Sequence, residues 1–127
     1  MRSRLALACV VMLMGVLLVG GVAVAKGFRG TSGPDEILGT KNADTIRGLG
    51  GNDRLSGRGG PDEIYGGGGR DKIRGGNGDD VLRAVDGQRD TIYCGDGRDY
   101  VYADPDPNGP NTRDLVYYGC ERVIIIR

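Results

Sequence analysis

The chain has no histidine, no tryptophan and one phenylalanine among its 127 residues. Without histidine there is no imidazole base to activate a serine or cysteine, and zinc or copper lose their commonest nitrogen ligand. Serine is scarce too. Past residue 25 only Ser32 and Ser56 remain, so no nucleophile–base pair is visible and no enzyme is expected. Charge of one sign is also lacking: 17 basic residues meet 17 acidic ones, which gives no reason to expect nucleic acid or an anionic membrane as partner. Cysteine occurs three times, at Cys9, Cys94 and Cys120, with no Cys-x-x-Cys pair. Glycine, by contrast, occurs 25 times, a density that excludes helix throughout and by composition alone fits a disordered linker.

Residues 1–25 differ from the rest. Two arginines within Met1–Arg4 precede an apolar run, Leu5 to Gly21, and Ala23-Val24-Ala25 offers small residues at a cleavage spacing. This is the pattern of a secretory signal peptide, and the protein is expected to be secreted. A retained membrane anchor is the alternative, since the run approaches the roughly 20 residues that an anchor needs. Cleavage after Ala25 leaves Lys26–Arg127 with 15 basic and 17 acidic residues, a net charge of −2. Cys9 departs with the leader. Cys94 and Cys120 then read as one disulfide in an exported chain, with two free thiols as the alternative.

Periodicity decides against a linker. From Gly30 the chain divides into nonapeptides: 30–38, 39–47, 48–56, 57–65, 66–74, 75–83, then 84–93 with one residue too many, and 94–102. Position six is always aspartate: Asp35, Asp44, Asp53, Asp62, Asp71, Asp80, Asp90 and Asp99. Position eight is always aliphatic, from Ile37 to Val101. Position one is glycine in six units (Gly30, Gly39, Gly48, Gly57, Gly66, Gly75). Position four is glycine except at Asn42, with Gly33, Gly51, Gly60, Gly69 and Gly78 in the regular units. Such glycines permit left-handed turns and close backbone approach. The Asp-x-Ile-x segment reads as a very short strand, one side chain inward. Two units make one coil of 18 residues, and coils stack as parallel strands.

Stacking sets the aspartates in two columns, Asp35-Asp53-Asp71-Asp90 and Asp44-Asp62-Asp80-Asp99. Strands repeat at about 4.8 Å. Like charges that close repel by roughly 3–4 kcal/mol per pair at an effective dielectric of 20. A hard divalent cation reverses the sign, and calcium suits a donor set of carboxylate and carbonyl oxygens. The alternative is that each aspartate merely caps its own turn. The core points the same way as the columns: one buried aliphatic per unit contributes roughly 1.5–3 kcal/mol, whereas ordering nine residues costs roughly 1–2 kcal/mol each.

These units resemble the Gly-Gly-x-Gly-x-Asp-x-aliphatic-x repeats of the RTX, or haemolysin-type, calcium-binding family over residues 30–102. The resemblance implies an all-β fold, a right-handed parallel β-roll. It also implies Ca2+ between the loops of units n and n+2, held by the position-six aspartates and by loop carbonyls such as those of the glycines named above. Up to six interior sites follow: units 1–3, 3–5, 5–7, 2–4, 4–6 and 6–8. The extra residue in 84–93 puts the 5–7 site in question, and Ala84 and Cys94 replace the position-one glycine.

Residues 26–29 read as a short lead-in. Residues 103–127 read as a turn-rich insert (103–108), a degenerate ninth unit with Asp114 and Val116 (109–117), and a capping strand fastened by a Cys94–Cys120 bridge. Asp104 and Asp106 read as a solvated loop, with contact to an ion as the alternative. Outward positions nine carry Arg47, Tyr65, Arg83 and Tyr102, an alternating ladder able to stack cation on ring. The expected function is a secreted, monomeric, non-enzymatic calcium-binding module, structural or associated with the cell surface or matrix. The alternative is a calcium-dependent adhesin that displays ligands on a rigid face. A flat threonine array for ice is absent, since Thr31 and Thr40 hold position two only in the first units.

Overall fold

The computed structural model describes residues 26–105, 114–117 and 119–126. The expected leader at 1–25, Asp106 and the first residues of the ninth unit lie outside them. Among the described residues every regular element is a strand: β1 Lys26–Arg29, β2 Glu36–Leu38, β3 Asp44–Arg47, β4 Arg54–Arg58, β5 Glu63–Tyr65, β6 Lys72–Asn77, β7 Val81–Ala84, β8 Thr91–Asp96, β9 Tyr100–Ala103, β10 Leu115–Val116 and β11 Arg122–Ile125. Among the described residues no helix is long and apolar enough to cross a membrane.

The strands form two parallel sheets, one in the order β1-β3-β5-β7-β9-β11 and the other β10-β8-β6-β4-β2. Consecutive strands therefore alternate between sheets, which makes a β-solenoid with two nonapeptides per coil. Register follows the sequence period: Ile46 faces Ile64, and Ile64 faces Leu82, each 18 residues on. Beyond the long unit the step becomes 19, with Ile73 opposite Ile92 and Leu82 opposite Val101. The extra residue is absorbed between Ala84 and Asp90, where Val85 and residues 87–89 are exposed.

The core consists of two aliphatic files between the sheets. Ile46, Ile64, Leu82 and Val101 fill one, Ile37, Leu55, Ile73 and Ile92 the other, and nearly all have no exposed surface. Outward neighbours alternate with them along each strand, as a pleated segment requires. Where position one is no longer glycine, Ala84 and Cys94 point into this core and are fully buried.

Both ends extend beyond the units counted from sequence. The lead-in is itself a strand: β1 pairs with β3, and Phe28 lies opposite Ile46, covering the end of its file. At the other end β10 sets Val116 opposite Ile92, and β11 sets Val123 opposite Val101. The final strand thus continues the sheet as one more rung instead of lying across its open end, because the unpaired edge of β9 offers backbone partners. Cys94 and Cys120 form the disulfide that fastens it, with Cα atoms 5.1 Å apart. The outer ladder is formed as well, with the Arg47 guanidinium 5.0 Å from the Tyr65 ring centre and that of Arg83 4.5 Å from Tyr102.

Candidate metal centre

Aspartate precedes each short strand, so stacking strands in register stacks the carboxylates. One column runs Asp35, Asp53, Asp71, Asp90 and continues to Asp114. Each Oδ1 from Asp53 onward accepts the backbone N–H of the preceding aspartate, at 2.7–2.9 Å. The other runs Asp44, Asp62, Asp80, Asp99 with the same bonds at 2.8–2.9 Å. The long unit does not displace Asp90, since its Oδ1 takes the Asp71 N–H at 2.7 Å. What the insertion alters is the loop. Gly87 has no backbone atom packed against its Cβ position, unlike the position-four glycines of neighbouring units.

The second oxygen distinguishes most units. Oδ2 of Asp53, Asp62, Asp71, Asp80, Asp90 and Asp99 is buried with no hydrogen-bond donor. A buried carboxylate oxygen left this way is costly, and a native fold retains it where another ligand is to be met. Beside each of the first four lies a position-one glycine. A Cβ at Gly48 would stand 2.5 Å from Asp53 Oδ2 and 2.5 Å from the Gly66 carbonyl oxygen, and one at Gly75 2.5 Å from Asp80 Oδ2 and 2.6 Å from the Cys94 carbonyl. These glycines are thus required by crowding. The left-handed conformation falls at positions two and four, as at Gly67, Gly76, Gly51 and Gly69. A Cβ at Gly67 would strike the Leu49 carbonyl, and one at Gly69 the Gly51 carbonyl. Carbonyl oxygens therefore line up along the same loop edges as the carboxylates.

Electrostatics agree with the packing. Burial pushes the Asp53 carboxyl up to about 6, Asp62, Asp71 and Asp80 up to about 7, and Asp90 up to about 8. The hydrogen bond from the preceding coil pulls each back down, and neighbouring carboxylates add to the rise. Asp99 and Asp114 are raised as well, again chiefly by burial. Without a cation, burial and the neighbouring carboxylates thus work against the ionised form of these groups.

Units one and two differ. Thr31 N–H donates to Asp35 Oδ2 at 2.6 Å and the Thr31 hydroxyl to the same atom at 3.0 Å. Thr40 treats Asp44 in the same way, at 2.5 and 3.0 Å. Here the aspartate does cap its own turn. Position four, left-handed at the glycines of the later units, is not left-handed at Gly33 or Asn42. Asp104, read from sequence as part of a solvated loop, is buried. Its Oδ2 accepts the Asp86 and Gly87 N–H groups at 2.9 and 2.5 Å, which ties the long unit's loop to the insert. No periodic signal marks Asp86 or Asp104, because both lie in the stretches that break the period.

Among the described residues no three carboxylates or thiolates gather as a metal cluster. A cation here would be shared between two carboxylates and loop carbonyls, and the unpartnered Oδ2 atoms and glycine-walled cradles fit that donor set. The arrangement defines a class: a parallel β-solenoid with hard oxygen donors repeated along both loop edges. The chain belongs to the RTX calcium-binding nonapeptide repeat family, whose profile matches residues 29–64, 56–88 and 84–108, more than half of the sequence. No curated protein and no solved structure gives a significant match.

Proposed function

We propose that this protein is an exported calcium-binding structural module whose roll forms when Ca2+ enters between stacked repeat loops. The observation that carries it is the set of six buried, donorless Oδ2 atoms in two columns. The side chains Asp53, Asp62, Asp71, Asp80, Asp90 and Asp99 hold the ions, and loop carbonyls complete the coordination. Calcium supplies charge neutralisation and a bridge from one coil to the next. The apolar leader supports export, and export supports the reading, since extracellular modules work at about 10⁻⁴–10⁻³ M calcium. No catalytic role is assigned. A role at the cell surface or matrix follows from rigidity and location, and the arginine–tyrosine ladder on the outer face favours display of a ligand-binding surface as the second reading. Far-UV circular dichroism with calcium and with chelator tests the main proposal. At pH 8, where the aspartates are ionised, strand signal is expected only with calcium, and identical β-rich spectra in both at that pH would overturn it.

A further inference from the structure

We propose that Thr31 and Thr40 close the first coil to calcium, so that ions lie only between the carboxylates of units three to eight. This rests on the calcium reading above and goes further, because it assigns which aspartates are loaded.

Two observations mark the first coil: donor occupancy, which sets it apart from all six later units, and a position-two conformation, which it shares only with the long unit at Val85. The first is donor occupancy. Asp35 and Asp44 each receive an amide and a hydroxyl on the oxygen that, in the six later units, receives nothing. Exposure does not explain this, since Asp44 is only 3% exposed. A cation at either carboxylate would first have to displace these donors, whose hydrogens present positive charge to the same atom.

The second is backbone conformation. Position two is left-handed in units three to six and eight, at Leu49, Arg58, Gly67, Gly76 and Gly95. For Leu49 and Arg58, with φ of 74° and 75°, this is a strained conformation for residues with a Cβ. Strain of that kind persists where surrounding structure enforces it, commonly at ligand sites. Thr31 and Thr40 occupy the same position and are not left-handed. A β-branched residue resists positive φ, so threonine there selects a different turn. That turn folds its own N–H and hydroxyl over the aspartate, and the hydroxyl also accepts the Gly33 or Asn42 N–H.

The n to n+2 pairing then leaves four interior sites, 3–5, 5–7, 4–6 and 6–8, because both pairings that involve the first coil are closed. The N-terminal coil becomes a metal-independent end on which the loaded coils stack.

Native mass spectrometry of the purified protein in excess calcium counts the ions, and a calcium titration followed by circular dichroism gives the midpoint. We expect four ions, the same count and a midpoint within twofold for D35N/D44N, and fewer ions with a midpoint raised at least tenfold for D62N/D71N. T31G/T40G, which installs the glycine found in units five, six and eight, is expected to gain up to two ions. Six ions in the unaltered protein, or lost ions in D35N/D44N, overturn the proposal. If D35N/D44N does not fold, T31G/T40G decides, and an unchanged count there overturns it. A protein that binds no calcium at all overturns the calcium reading itself, and this assignment with it.

Discussion

A position-one glycine shows how much one missing Cβ decides. At Gly57 a methyl group would stand 2.6 Å from the Gly75 carbonyl oxygen and also against the Asp62 carboxylate. The first is backbone and the second is held by the Asp44 N–H on its Oδ1, so the coils would have to separate. Gly68 meets nothing within 4 Å and is not left-handed. Gly57→Ala is therefore expected to destabilise the calcium-bound protein by about 1–3 kcal/mol, as overpacking does. Gly68→Ala is expected to be neutral or to stabilise by about 0.4–1 kcal/mol through the unfolded chain. Urea unfolding in millimolar calcium measures both, and equal losses at the two positions would contradict the crowding argument.

At the scale of elements, strands of two to six residues have no stability of their own. Each is held by parallel neighbours on both sides, except at the ends. The C-terminal rung is the weakest by this logic: Val123, which continues the core file opposite Val101, is 40% exposed because no further coil covers it. The Cys94–Cys120 bridge offsets this by closing a 26-residue separation. C94A/C120A is expected to cost about 3–4 kcal/mol in the chain-entropy account. Chemical denaturation measures that loss. Hydrogen exchange should show it concentrated in β10 and β11 while β3 to β7 stay protected. Uniform loss of protection across all strands would show that the roll unfolds as one unit.

For the whole molecule, protons and calcium compete for the same oxygens. In the calcium-free fold the buried aspartates sit at about 6 to 8, above the ordinary 3.8. A group raised on folding stabilises most below its unfolded value, and that contribution disappears as pH climbs through its folded value. The chelated protein is thus expected to hold most strand structure near pH 4 and to lose it between about pH 6 and 8. Calcium reverses the trend, since it binds the deprotonated form: its midpoint should tighten as pH rises from 5 to 8. Circular dichroism across pH, with and without chelator, reads both slopes. A chelated protein as folded at pH 8 as at pH 4 would show that the columns are solvated without metal.

The nine-residue period by itself determined the strands, the two files of core aliphatics, the two columns of aspartate and the partners across each sheet. A strict repeat leaves one way to stack identical short units, so register follows from counting. The pairing of the two cysteines beyond residue 25 followed from their being the two that remained. What counting cannot reach is whatever breaks the period or turns on a second oxygen atom. Phe28 carries no repeat around it, yet it finds the open edge of β3. The insertion in 84–93 leaves Asp90 in its column because the surplus residue bulges into solvent, where it costs little. Asp104 is drawn inward by two loop amides that are distant in sequence. Asp35 and Asp53 read alike, but Thr31 folds over one and nothing folds over the other. These outcomes depend on which donors and edges remain unfilled after the coils have stacked, and that is settled in three dimensions.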